Sequence, residues 1–184
     1  MNTMRDDIKY ILADEQKIQE TCDRLAAQIN ADYTDYDREL VFVVVLKGSV
    51  LFATDLFRRI NRPCTIEFMK VSSYGAGVET SGFIQVSLDL KRDIKDVDVV
   101  IIEDIVDSGR TLQKLCSLLA TRGAHSVKCC ALLDKPSRRH VEMQAEYVGI
   151  VIPDEFVVGY GLDFAEYYRN LPYIGVLDPS VYSE

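Results

Sequence analysis

An α/β fold with a mainly parallel sheet flanked by helices follows from two stretches and one feature they share. Leu40–Leu46 is an unbroken apolar run, and Val97–Ile102 ends in four consecutive aliphatics. Both have the pattern of strands buried on two faces. Each is followed by a short polar break and then a helix-like segment, Val50–Ile60 and Leu112–Thr121. Two such units imply parallel pairing with helices on both sides of the sheet. Ligands bind these sheets at the carboxyl ends of strands, where both polar breaks fall.

The remaining elements fit this frame. Residues 14–31 read as an amphipathic helix, with Ile18, Cys22, Leu25 and Ile29 on one stripe. Lys47-Gly48-Ser49 breaks the first apolar run. In the helix after it, Leu51, Asp55 and Arg58-Arg59 lie near the polar edge, and Pro63 ends the unit. Cys64–Val71 alternates as a strand, and Ser72–Gly82 is a polar loop with three glycines. Phe83–Leu88 alternates again. Gly123 caps the helix that ends at Thr121. Ser126–Leu133 is a further strand running into Asp134-Lys135-Pro136, and Val148–Ile152 is a short one.

Composition bounds the reading. A chain of 184 residues, 48% hydrophobic and 27% charged, suits one soluble domain spanning residues 1–184. A net charge of -8 argues against a general nucleic-acid binder. No apolar run reaches the roughly 20 residues needed to span a bilayer. Met1–Tyr10 is mixed and charged, without the apolar core of a signal peptide, so a cytoplasmic location is expected. Cys22, Cys64, Cys116, Cys129 and Cys130 are odd in number, lack C-x-x-C spacing and read as buried reduced thiols. His125 and His140 lie far from the motifs in sequence, which gives little weight to histidine chemistry.

Most of the chemistry lies between Val99 and Leu112. Four aliphatics lead into Glu103-Asp104, then Ile105-Val106, then Asp107-Ser108-Gly109-Arg110-Thr111 and a helix. Such a turn aims backbone N–H groups and two hydroxyls at one point, and the helix N-terminus adds partial positive charge. That is a phosphate cradle. The acid pair beside it suits sugar hydroxyls or a hard cation. Phosphate next to a diol or Mg2+ describes a phosphorylated sugar. The plainer alternative is an ordinary helix capped by Asp107 or Ser108, with solvated charges at the strand end.

This run closely resembles the phosphoribosyl-diphosphate (PRPP) signature of type I phosphoribosyltransferases. Leu46-Lys47-Gly48-Ser49, Ser72-Ser73-Tyr74-Gly75, Leu133-Asp134-Lys135-Pro136 and Pro153-Asp154-Glu155-Phe156-Val157-Val158-Gly159-Tyr160 follow the order and spacing of the hypoxanthine(-guanine) phosphoribosyltransferases. The resemblance covers roughly residues 8–178. It implies the type I fold, with a small hood built from the N-terminal residues and roughly 140–180. It also implies purine salvage: 5-phosphoribosyl transfer from PRPP to hypoxanthine and guanine, with Mg2+, by a homodimer or homotetramer.

The family roles carry over position by position. Ser108, Gly109, Arg110 and Thr111 would hold the 5-phosphate, with Arg110 acting mainly through its backbone. Glu103 and Asp104 would bind the ribose hydroxyls, directly or through Mg2+. Asp107 would accept a proton near the purine N7. Lys47, Gly48 and Arg169 would meet pyrophosphate, and Asp163 would ligate a second Mg2+ at the purine side. The Leu46–Lys47 peptide would be cis, which the residues themselves do not disclose. Ser73-Tyr74 would form a lid that excludes water. Lys135 would donate to purine O6, a contact that disfavours adenine because it offers an amino donor there. Phe156 would stack on the base and the Val157 backbone would read its edge. Taken singly, Lys47 and Lys135 also read as surface lysines and Phe156 as core.

Other readings stay open. The base preference of residues 154–157 could favour guanine or xanthine. An RNA-binding regulator on the same fold would need a basic surface, which the -8 balance opposes. A binding module without catalysis would not need Asp107, Lys47 and the Ser73-Tyr74 loop together.

Overall fold

The computed structural model describes residues 4–73 and 84–182. Strand β1, Ile8–Ala13, leads into helix α1, Glu15–Asp32. Asp14 caps α1 by accepting the Lys17 N–H at 2.8 Å. The expected stripe Ile18, Cys22, Leu25 and Ile29 is buried, together with Thr21 and Ala26. Strand β2, Leu40–Val45, is buried at every position. Helix α2, Val50–Phe57, is shorter than the expected Val50–Ile60, since Arg58 already closes it. Strand β3 is Thr65–Ser73 and β4 is Ile84–Leu88. Most of the expected Ser72–Gly82 loop lies outside the described residues.

Strand β5, Asp98–Val106, carries the acidic pair within it rather than ending at Ile102. Its ladder with β6, Ser126–Asp134, continues through Glu103 opposite Ala131 to Val106 opposite Asp134. Backbone pairing thus satisfies this stretch whatever its side chains. Helix α3, Arg110–Thr121, sits between β5 and β6, and Gly123 follows its end with φ +84°. β7 is Tyr147–Val151, β8 is Val157–Val158 and β9 is Ile174–Leu177.

Six strands form one sheet in the order β4-β3-β2-β5-β6-β7. All its neighbours are parallel except β3 and β4. Alternate β5 residues face opposite layers. Val100 and Ile102 pack with α1 and α2 residues such as Leu25 and Phe52. Val99 and Ile101 pack with Leu115 and Leu119 of α3. The strand order reverses between β2 and β5, the switch point where such sheets bind ligands. A second, antiparallel sheet has the order β1-β9-β8. Of the stretch 140–180, β7 joins the large sheet and only β8 and β9 join the small one. No described helix is long and apolar enough to cross a membrane.

Candidate active site

A cavity of about 420 Å³ opens at the switch point. The loop after β2 supplies Lys47 and Gly48, and the end of β5 supplies Glu103 and Asp104. The turn into α3 supplies Asp107, Ser108, Gly109 and Thr111, and Asp163 and Arg169 close the far side. Sequence positions far apart therefore converge as expected. Arg110 is exposed and outside the lining. Lys135, Phe156 and Val157 also lie outside it. Tyr74 and the Ser73 side chain fall outside the described residues.

The turn does not follow the plainer alternative of a side-chain cap. The N-cap of α3 is Gly109, left-handed at φ +77°, and no side chain caps it. Among the described residues the Thr111 and Leu112 N–H groups stay open, and the Arg110 N–H makes only a long bond, 3.5 Å, to Ser108 Oγ. A free helix start is an anion site when it faces a cavity.

Glu103 and Asp104 project to opposite faces of β5, and both line the cavity just past the point where the β2–β5 ladder stops at Val44 opposite Ile102. Glu103 Oε2 is enclosed and has no hydrogen-bond partner among the described residues. Burial, then the Asp104 charge, then Cys116 push its carboxyl well above the usual range. Burial pushes Asp104 up to about 6, against N–H bonds from Ile105 and its own backbone. Arg169 pulls Asp104 down and Asp163 pulls it up. A raised folded pKa means stability that is present below about pH 4 and lost as pH rises through about 6. Asp104→Asn should therefore raise Tm at pH 8 by about 2–12 °C, from roughly 1–3 kcal/mol of relieved charge. Near pH 4 the gap should close, and a pH series of thermal melts reads both. A gap independent of pH would show that Asp104 carries no such strain.

Gly48 is packed against Asp104. A Cβ there would lie 1.5 Å from Asp104 Oδ2. A Cβ on Gly161, at φ +102°, would lie 2.0 Å from the Gly48 carbonyl oxygen. The Leu46–Lys47 peptide is cis, as the resemblance implied. Lys47 Nζ pairs with Glu166 Oε2 at 2.8 Å. Arg169 Nη2 pairs with Asp163 Oδ1 at 2.8 Å and approaches Glu166 at 3.4 Å. Lys47, then Arg169, hold the Glu166 carboxyl below its usual range. Glu166 was not foreseen, and its left-handed φ of +72° is invisible in sequence.

Lys135, Phe156 and Val157 lie outside the cavity lining. Lys135 is buried, donates to the Glu155 carbonyl at 2.9 Å and lies 3.7 Å from Asp154. Phe156 is 39% exposed. Its ring stacks on Tyr182 at 5.0 Å and meets Phe164 edge-on at 5.8 Å. Neither a surface lysine nor a core phenylalanine describes these two. Val157 is buried and pairs with Val176. His140, although distant in sequence, reaches the turn through its backbone, donating its N–H to the Ser108 carbonyl at 3.0 Å. All five cysteines are free, with Cys116 and Cys129 sulfurs 3.2 Å apart.

An uncapped helix start, buried acids and two cations around one switch-point crevice define an α/β protein that binds a phosphorylated sugar or nucleotide. Comparison with known proteins is more specific. The phosphoribosyl transferase domain profile matches residues 11–165. Hypoxanthine-guanine phosphoribosyltransferases of Staphylococcus aureus strain Mu50 and Staphylococcus epidermidis strain RP62A are each 50% identical. Those alignments cover 98% of this chain and 99% and 100% of the relatives. A crystal structure of a hypoxanthine phosphoribosyltransferase from Staphylococcus aureus superposes with a TM-score of 0.94 at 50% identity, covering 100% of both chains. The chain belongs to the phosphoribosyl transferase family, on its hypoxanthine-guanine branch.

Proposed function

We propose that the chain transfers the 5-phosphoribosyl group of PRPP to hypoxanthine and guanine, releasing pyrophosphate and forming IMP and GMP. The observation that carries this is the single cavity joining an open helix start, buried acids and the Lys47–Arg169 side. A purine nitrogen attacks C1 of the ribose as the bond from C1 to the pyrophosphate oxygen breaks. Positive charge grows on the sugar, and the base loses a proton. Ser108, Gly109 and Thr111 hold the 5-phosphate, with the Arg110 N–H beside them. Lys47 and Arg169 take the leaving pyrophosphate, exchanging the Glu166 and Asp163 carboxylates for phosphate oxygens. Asp107 takes the purine proton through the enclosed Oδ1, which has no partner of its own.

Lys135 reads O6, Phe156 stacks on the base and Val157 offers its backbone. The pairing of Lys135 with a backbone carbonyl holds its Nζ in place for that role. The β1-β9-β8 sheet is the hood of a single domain. Mg2+ fits the acid edge, because the enclosed Glu103 oxygen has no donor among the described residues and burial outweighs the nearby Arg169 charge at Asp104. Glu103 and Asp104 would hold it, and it would supply positive charge against the sugar and the leaving group. Among the described residues no three ligand-type side chains cluster, so the remaining ligands would come from substrate. Asp163 would leave its Arg169 pair to join a second ion.

The same family reading carries a homodimer or homotetramer, and the five free thiols support a reducing, cytoplasmic setting. Product formation from PRPP and Mg2+ with hypoxanthine, guanine, xanthine, adenine and uracil tests the proposal. Turnover of hypoxanthine and guanine without adenine is expected. Turnover of uracil alone, or of no base in a folded sample, would overturn it.

A further inference from the structure

Two carbonyls of the phosphate turn are held from behind. Arg139 Nη1 donates to the Asp107 carbonyl at 2.8 Å, and the His140 N–H donates to the Ser108 carbonyl at 3.0 Å. A trans peptide sets its C=O antiparallel to the next N–H. Drawing these two carbonyls toward residues 139 and 140 therefore turns the Ser108 and Gly109 N–H groups the other way. Both residues line the cavity, and neither N–H finds a backbone acceptor among the described residues. Arg139 itself lies outside the lining.

Arg139 is fixed in turn. Its Nη2 pairs with Asp134 at the end of β6, and both side chains are only 15% exposed. Asp134 stands opposite Val106, next to the turn. Arg139 Cδ, Val141 Cγ2 and Met143 Cβ lie 3.0, 3.2 and 3.3 Å from the point a Gly109 Cβ would occupy. Residues 139–143 thus press against the back of the turn, with one planar guanidinium bridging strand end and loop.

We propose that Arg139 is the positioning residue of the phosphate site. Its fork joins Asp134 to the Asp107 carbonyl and, with the His140 N–H, aims the Ser108 and Gly109 N–H groups at the 5-phosphate. The proposal rests on the phosphoribosyl-transfer reading and adds a residue that touches no substrate. A lysine cannot replace it, because a point donor does not serve two acceptors in a fixed plane.

Calorimetric titration of IMP and of inosine, which lacks only the phosphate, separates the possibilities. Arg139→Ala should weaken IMP by about tenfold or more and leave inosine within about twofold, since only oriented donors are lost. Millimolar guanidinium should restore part of the IMP affinity. If Arg139→Ala does not fold, Arg139→Lys keeps a cation beside Asp134 and should show the same selective loss with Tm near wild type. Equal weakening of both ligands, or a wild-type phosphate preference retained in the variant, overturns the role of Arg139 alone. A wild type that holds inosine as tightly as IMP overturns the phosphoribosyl reading and this proposal with it.

Discussion

Gly48→Ala should abolish most turnover while leaving the protein folded. The new methyl carbon would lie 1.5 Å from Asp104 Oδ2, far inside contact distance. Retreat is blocked on the other side, where the Gly48 carbonyl faces the Gly161 backbone across a 2.0 Å approach to a hypothetical Cβ. Either Asp104 or Lys47 must then leave its place in the cavity lining. A misplacement of about 1 Å at a reacting site costs on the order of 100-fold, so kcat/KM should fall at least that far. The fold should survive, because Gly48 follows β2 rather than lying within its ladder. Steady-state kinetics beside a thermal melt read the two effects separately. Activity within tenfold of wild type would show that the Gly48–Asp104 contact does not set the site.

The large sheet was legible because its central strands are apolar on both faces. Leu40–Val45 and Val99–Ile102 announce burial without any period, and α1 announces itself by one stripe. The end of β5 was not legible. Charged residues seldom continue a buried strand, yet the β6 ladder runs on past them to Asp134. The small sheet also escaped strand-level reading. β8 has two residues and β9 four, too few to show alternation.

The site divides along the same line. The turn 107–111 is one local segment, so its residue types disclose its chemistry. The contacts that brace it are not local. Arg139 meets Asp107 across 32 positions, and Lys47 meets Glu166 across 119. The only local hint of Arg139 is a pair of arginines just after a strand that ends in Asp134. Gly161 carries a hint too, sitting two residues after Gly159 in a stretch where all five consecutive positions, 157–161, are buried valine, tyrosine or glycine. Nothing local says that its partner is the Gly48 carbonyl.

Asp107→Asn should lower kcat by about 10²–10⁴-fold, the range for loss of a positioned proton acceptor. The amide keeps the shape of the carboxylate and cannot take a proton. The Asp107 carbonyl that Arg139 holds is unchanged by the substitution, so the turn keeps its form. IMP affinity should accordingly stay close to wild type while turnover of hypoxanthine collapses. Calorimetry with IMP and steady-state kinetics with PRPP and hypoxanthine give the two readouts. A combined loss of affinity and turnover would mean that Asp107 supports the phosphate turn rather than the proton. Turnover within tenfold of wild type would move the proton elsewhere. Glu103 would then stand next, because its Oε2 is the other enclosed carboxylate oxygen of this cavity without a partner among the described residues.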